Sequence, residues 1–595
     1  MPINLNDTYQ VDENKRWFKK WWPKGVSFNT IFEEKTTNQF LDEQVTKHSD
    51  ENFIWFLDSW ITYKQFQEYV KSFATALTDL GIKKGDVVVM HLPNCPQYIV
   101  GYYAITRIGA IASGINPTYQ PMEILHQLHI IKPKVIIVLD SLYKPYIKPI
   151  IEESSLDSVI YTNLADLTDI ISVRKIVSKF VKKIPSGKVD YPNSYRFKDL
   201  LKTKPNVPVI EFNVKTHPAT YIMTGGTTGL PKAAVLTHFN VVSNAIQCRL
   251  WLGGERPYIG NIGILPLFHS FAHTVVMNTA IAIGGWIMLF PNPPSQTELC
   301  EVIEKLPCKE GLIYAGTELL FKKLAELRNL KRRYPKVMGK LILCVSSAGP
   351  LHKPVHDAFI ENTGGRIVEG YGLSEASPAV SAGNLFGESP IGSIGMPFPG
   401  TEWGIWPTEN FNLGPICLGN PEDKNFGIEH TGEICVAGPQ VMLEYLNKPD
   451  ETVETILKYK DKLWLLTGDI GFMNEDGTIA IRDRKKQLIK YKGYSVFPLE
   501  VEELLMKHPD ITEAAVAGLP HKEYGEIIKA WVSIKEDCDL SPQTIKEWAA
   551  ENMAPYKVPY SIAIIGEIPK DLVGKVLRRE LQIKDPLYIE KYGDS

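Results

Sequence analysis

The chain has 595 residues, 44% apolar and 22% charged, with a formal net charge of −3. That length exceeds what one hydrophobic core serves, so two or more domains are expected, in a protein of ordinary globular composition. The near-neutral charge gives no ground for a nucleic-acid partner, and eight cysteines without a CxxC pair argue against a disulfide framework and for a reducing compartment.

From the N-terminus, "MPINLNDTYQVDENKRW" lacks the apolar core of a signal peptide, which points to a cytoplasmic protein. "TYKQFQEYVKSFATALTDLG" reads as an amphipathic helix. "GDVVVMHL", "PKVIIVLD", "KLILCVSSAG" and "TIAIRD" read as buried strands. Their alternation predicts an α/β fold with largely parallel sheets. Residues 142–208, richer in Lys, Asp and Ser, fit that alternation least and read as a surface insertion. Within them, 170–184 ("IISVRKIVSKFVKKI") sets an apolar stripe against Arg174, Lys175, Lys179, Lys182 and Lys183. Such a helix suits either an anionic membrane surface or ordinary packing with a solvated basic face. Val275 to Phe290 is the longest apolar run. Asn278, Thr279, Gly284 and Gly285 interrupt it, so it predicts a buried helix leading into a strand rather than a bilayer span. Near residue 484 the texture turns charged ("RDRKKQLIKYKGY") with no strong strand signal. A domain boundary is expected there, dividing 1–484 from a smaller lid at 485–595.

The chemistry concentrates in a few stretches. "TGGTTGLPKAA", residues 224–234, offers glycine N–H groups, threonine hydroxyls and the Lys232 ammonium, the means to hold phosphate. It is not a Walker P-loop, because Leu230 and Pro231 separate Gly229 from Lys232 and Ala233 follows. "EGYGLSE" puts Tyr371, able to stack on a purine, near Glu375, a suitable Mg²⁺ ligand. "TGD" ends on Asp469, able to accept ribose hydroxyls. "PKDLVGKVLRREL" presents Lys575 after a glycine turn. Each residue alone has an ordinary structural reading; their conjunction in this order does not.

That order resembles the AMP-forming acyl-CoA synthetases of the adenylate-forming superfamily, over nearly the whole chain. "TGGTTGLPKAAVLTH", "PLFHSF", "SSAGPL", "EGYGLSEASP", "GEICVAGPQVMLEYLNKPDET", "LLTGDIG", "RDRKKQLIKYKGYSVFPLEVE" and "IPKDLVGKVLRREL" carry the resemblance. "TGG", "WWPKGV" and "RFKDLLK" are similar to the long-chain fatty acid–CoA ligase branch. The departures are Ala233 for glycine, Ser374 for threonine and Val573 for serine.

The resemblance implies a large layered α/β domain with a mobile α+β lid. It also implies two half-reactions, in which ATP and a carboxylic acid give acyl-adenylate and pyrophosphate, then CoA displaces AMP. By the same resemblance Thr224, Gly225, Gly226, Thr227, Thr228, Gly229 and Lys232 would cradle the phosphates, and Glu375 with Thr227 would hold Mg²⁺. Ala348, Gly349, Pro350, Glu369, Gly370, Tyr371, Gly372 and Ser374 would surround the adenine, while Asp469 and Arg484 would hold the ribose. His269 would border the acyl pocket. Its i+4 partner His273 is discounted as a zinc pair, since no third ligand lies nearby in sequence. Lys575 would join carboxylate to α-phosphate. A lid rotation about Lys486 would then exchange it for the stretch containing Lys490 and Gly493, opening the way for CoA. A medium- to long-chain fatty acid is the expected substrate. A short, hydroxy or aryl acid is the alternative, and a non-catalytic nucleotide- or acyl-binding relative is argued against by the intact Glu375, Asp469, Arg484 and Lys575.

Overall fold

The computed structural model describes residues 9–168, 184–224, 231–491, 494–536, 538–571 and 574–592. Among these, the strands form four sheets. Val87–His91 lies between Ile111–Gly114 and Val135–Leu139 in parallel register, the core of an eight-stranded sheet. Every residue of these three strands is buried, which is why Val87–His91 and Val135–Leu139 read as apolar runs and Ile111–Gly114 as largely small residues, instead of alternating. A nine-stranded sheet repeats the arrangement, with Gly260–Gly263, Leu312–Gly316, Leu341–Ser346 and Ile367–Gly372 in parallel succession. The run 275–290 resolves into a helical stretch ending at Ala282 and the buried strand Trp286–Leu289 of that sheet.

Helix Tyr63–Asp79 begins at Thr62, whose side chain accepts from the Gln65 N–H while Gln65 returns the bond to the Thr62 N–H. It buries Phe66, Val70, Phe73, Ala74 and Leu77, the stripe its sequence predicts. Helix His238–Trp251 is buried along nearly its whole length, and its polar residues are anchors. The Asn240 amide donates to the Pro439 and Val441 carbonyls, and Asn244 makes a two-way bridge with the Ala379 backbone. One helix thereby fixes the position of a loop at 439–441 and of the strand Ala379–Ala382, both distant in sequence.

Three features differ from the sequence expectations. Glu402–Trp406, Gly432–Ala437, Ile456–Tyr459, Lys462–Met473 and Ile479–Arg484 make an antiparallel sheet, so "TIAIRD" pairs antiparallel with its neighbour. The stretch 142–208 supplies two strands of the eight-stranded sheet, Ser158–Thr162 and, at its edge, Ser194–Arg196; its polar composition belongs to the connections around them. The charged stretch after 484 contains a short hairpin, Ile489–Tyr491 with Tyr494–Val496. Ile489, Tyr491 and Val496 are buried while Lys490 is exposed, so charge hides an alternating pattern. That hairpin starts the fourth sheet, completed by Ile511–His521, Gly525–Ile534 and Ser561–Ile564 around a core of its own. A large N-terminal and a small C-terminal α/β domain result.

Candidate active site

A cavity of about 2340 Å³ opens where the ends of several strands meet the C-terminal domain. Thr224, Lys232, His269, residues 348–350, residues 369–375, Asp469, Arg484, Lys486 and Lys575 all line it. Such convergence beyond strand ends is where α/β folds place ligands. Gly225, Gly226, Thr227, Thr228, Gly229 and Gly493 lie outside the described residues, as do residues 170–183 of the basic amphipathic segment. Thr224 and Lys232 face each other in antiparallel register, so the two ends of the glycine-rich loop are held together.

Lys232 reaches Glu451 at 2.5 Å and stands 4.2 Å above the Tyr445 ring. The Tyr445 hydroxyl donates to Glu375 Oε1 at 2.7 Å, and the Glu375 carbonyl accepts from the Met442 N–H at 2.7 Å. The carboxylate and the ammonium are thus oriented by one tyrosine. Ser374 and Ser270 share a hydrogen bond of 3.0 Å, tying the same turn to the segment after His269.

Elsewhere in the lining, Asp469 Oδ2 accepts from the Tyr371 hydroxyl at 2.6 Å and Oδ1 pairs with Arg484 Nε at 3.1 Å. Asp469 and Arg484 are cross-strand partners, which sets the pair by register. Burial and the adjacent carboxylate push the Tyr371 phenol well above its ordinary pKa, so it stays a donor. A carboxylate has about four acceptor sites, so these contacts leave Asp469 capacity for a further ligand. Ala348, beside Gly349 and Pro350, has φ of 66°, the left-handed region that a residue with a side chain seldom adopts.

Lys575 enters this cavity from the C-terminal domain. Its N–H donates to Asp571 Oδ1 at 2.8 Å, and Gly574 before it has φ of 81°. A side chain at Gly574 would also press on Thr317, 3.1 Å from its hydroxyl, so glycine answers both demands. Burial foremost, then the nearby Arg484 charge, lower the Lys575 pKa to about 8, against the pull of Asp571 and Asp469. His269 feels both Asp571 and Lys575, and its own burial lowers its pKa. Lys575, the Asp469–Arg484 pair and His269 therefore share one cavity, the pair and His269 lying within electrostatic reach of Lys575. His273 is buried edge-on to Tyr102 at 4.7 Å and contacts the Asn278 amide at 3.3 Å. Lys486 lies in the turn Lys485–Gln487, while Lys490 is exposed, outside the cavity wall, its N–H donating to Glu526 at 2.7 Å.

Residues 41–446 match the AMP-binding enzyme family, and residues 500–575 match the AMP-binding enzyme C-terminal domain. The chain belongs to the AMP-binding enzyme family. It is 33% identical to a long-chain-fatty-acid–CoA ligase of Bacillus subtilis (strain 168) over 582 residues, 96% of this chain and 98% of that one. With the ligase of the same name from Salmonella typhimurium (strain LT2) it shares 32% identity, over 91% and 93% of the two chains. Among solved structures, ATP-bound MatB from Rhodopseudomonas palustris superposes with a TM-score of 0.76 at 21% identity, covering 94% of this chain and 99% of that one. The anthranilate CoA ligase AuaEII with anthranoyl-AMP gives 0.73 at 22% identity, over 93% and 97%. These structures establish the fold.

In this AMP-binding enzyme several side chains matter that motif reading passes over. Glu369 lines the cavity. Its half-buried carboxylate accepts from the Leu351, Gly392 and Ser393 N–H groups at 3.3, 2.7 and 3.3 Å, joining two loops of the wall. Tyr445 and Glu451 sit in "YLNKPDE". The one available signal was the Pro449 helix start, which places Glu451 in a first turn beside Tyr445. No local pattern marks Asn244 as the bracket of Ala379.

Proposed function

We propose that this cavity activates a medium- to long-chain fatty acid, forming an acyl-adenylate with release of pyrophosphate and then an acyl-CoA with release of AMP. The observation that carries the reading is the half-buried Lys575, which lines one cavity with the Asp469–Arg484 pair, Glu375 and His269. The named relatives support the substrate class. The physical obstacle is the repulsion between a carboxylate and an α-phosphate. A desolvated ammonium between them neutralises charge where it develops. On this assignment Thr224, the loop 225–229 and Lys232 hold the β- and γ-phosphates. Tyr371 and residues 348–350 and 369–372 enclose the base, and Asp469 and Arg484 hold the ribose.

Magnesium fits the donor set. Mg²⁺ keeps most of its water and phosphate oxygens and takes one or two protein ligands. Glu375, with one carboxylate oxygen bonded to Tyr445, has capacity for it, and Thr227 would be the second ligand. Bound there, the ion would neutralise phosphate charge. Orientation of Glu375 belongs to Tyr445.

Residues 1–484 and 485–595 are assigned as the two mobile units, hinged at Lys486. The pose described here has Lys575 inside and Lys490 outside the cavity, as the adenylating half-reaction requires. Rotation would bring Lys490 and Gly493 to the site for CoA. Peripheral contact of 170–184 with anionic lipid, where a fatty acid would be collected, completes the proposal; among the described residues no helix is long and apolar enough to cross a membrane. The deciding experiment is an AMP-release screen from acetate to octadecanoate, with and without CoA. AMP and pyrophosphate formation that depends on a long acid, with thioester only when CoA is present, is expected. ADP release, or indifference to the acid, overturns the reading.

A further inference from the structure

The cavity lining is of two kinds. Around Lys575, Asp469 and Glu375 it is polar. The apolar part of the lining includes Cys248, Trp251, Leu252, Val275, Leu385 and Phe398, which pack in one hydrophobic cluster and of which all but Val275 are buried from outside solvent. We infer that this apolar branch receives the acyl chain, and that the N-terminal aromatic segment around Trp22 sets the greatest chain length by fixing Trp251 as the floor of the branch. The inference rests on the fatty-acid reading above and adds what limits the substrate.

Trp251 ends the long buried helix. Its ring lies 5.1 Å from Phe398, and Trp22 meets it nearly perpendicular, also at 5.1 Å. The indole N–H donates to the Gly383 carbonyl at 2.9 Å, so turning the ring aside would strand a buried donor. Retreat is blocked by Trp22, which does not line the cavity itself. The Trp22 N–H donates to the Val26 carbonyl at 2.8 Å, and the ring packs edge-on to Phe18 at 4.6 Å.

The segment beneath is clamped to the large domain. Lys15, almost wholly buried, contacts Glu402, the Leu418 carbonyl and Asn420 within 2.8 Å. Trp17 is fully buried against Trp403, and a side chain at Gly419 would strike the Trp17 ring at 2.4 Å. The floor is therefore a stack of aromatic rings held from below by a segment some 230 residues away in sequence. An acid whose terminal methyl reaches Trp251 is accommodated. A longer one must displace the stack, and one methylene refused by an apolar pocket costs ~10-fold or more in kcat/KM.

The test is the acid-length profile of kcat/KM for full-length protein, wild type against Trp22→Ala, Trp251→Phe and Cys248→Phe, with KM for ATP measured alongside. Trp22→Ala and Trp251→Phe deepen the branch and are expected to raise the octadecanoate-to-dodecanoate ratio ~10-fold or more over wild type. Cys248→Phe fills it and is expected to lower that ratio comparably. KM for ATP stays put in all three, separating a floor effect from general damage. Should Trp22→Ala fail to fold, the conservative Trp251→Phe carries the same expectation. If wild type activates fatty acids but the profiles of Trp22→Ala and Trp251→Phe coincide with it, the floor is disproved and the function stands. If wild type releases no AMP with any fatty acid, both fall.

Discussion

The Tyr445 hydroxyl donates to the Glu375 carboxylate at 2.7 Å while the face of the same ring carries the Lys232 ammonium at 4.2 Å. Tyr445 thus couples the residue assigned to the metal with the residue assigned to the departing pyrophosphate. Tyr445→Phe removes the hydroxyl and keeps the ring. Loss of such an orienting bond to a metal ligand weakens metal affinity about 10–100-fold. A Mg²⁺ titration of acid-dependent pyrophosphate exchange is expected to shift by that factor, with KM for the acid unchanged. Tyr445→Leu also deletes the cation–π contact and should raise KM for ATP further. An unchanged Mg²⁺ requirement in Tyr445→Phe would show that Glu375 needs no orienting partner.

Lys575 makes a prediction in pH. Its ammonium is the useful form, and its pKa is lowered from 10.5 to about 8, chiefly by burial. Since kcat/KM reports groups of the free enzyme, adenylation measured that way is expected to be level below pH 8 and to fall above it. Lys575→Ala should lose about three orders of magnitude in adenylation if the ammonium supplies ~4 kcal/mol, yet still convert presynthesised acyl-AMP to thioester. Stability moves the other way. A lysine whose folded pKa is depressed opposes folding fully below about 8 and is relieved as pH rises towards 10.5. Lys575→Met should therefore melt higher than wild type at pH 7, with the gap closing above pH 8. An equal melting temperature throughout would show that the buried charge carries no cost.

Tyr371, Asp469, Glu375 and Lys575 were legible in the sequence because each sits in a local motif whose residue types already state a task. The parallel strands were legible for a similar reason, since burial on both faces leaves an apolar run. What stayed hidden depends on distance along the chain. Tyr445 meets Glu375 across 70 residues, and Asn244 meets Ala379 across 135. Neither contact leaves a mark at its own position. The hairpin at 489–496 was hidden differently, because Lys490 and its neighbours drown a period-two pattern only a few residues long.

Glu369 should behave as a wall pin. Its carboxylate accepts three backbone N–H groups, and burial raises its pKa against them. Glu369→Gln turns one acceptor into a donor facing a donor, at a cost of ~1–3 kcal/mol. Because residues 350–351 and 391–393 would loosen together, KM for ATP is expected to rise about tenfold, with a small loss in melting temperature. Unchanged ATP affinity would remove Glu369 from the nucleotide wall.

The segment 170–184 makes its own prediction. Neutralising Arg174, Lys175, Lys179, Lys182 and Lys183 together removes five charges, each worth ~1 kcal/mol near an anionic surface. In flotation with phosphatidylserine-containing vesicles, wild type is expected to rise with the lipid and the variant to stay below. Equal flotation would dismiss the segment as a lipid contact.

The hinge prediction separates the two half-reactions. Lys486 sits in a three-residue turn, between Lys485, whose ammonium pairs with Glu433 at 2.7 Å, and the hairpin that starts the C-terminal sheet. Just before it, Asp483 accepts from the Leu499 N–H at 2.8 Å, a second link between large domain and lid. Rotation must change backbone angles in this short span, and proline at 486 locks φ near −65°. Lys486→Pro is therefore expected to leave adenylation intact, read as acid-dependent pyrophosphate exchange, because the pose with Lys575 in the cavity already exists. Thioester formation from CoA should fall by at least about a hundredfold, as expected of a blocked hinge. Isolated acyl-AMP supplied to the variant should fare no better, since the block lies after its formation. Equal loss in both half-reactions would mean that the turn is merely structural, and the rotation about Lys486 would have to be given up.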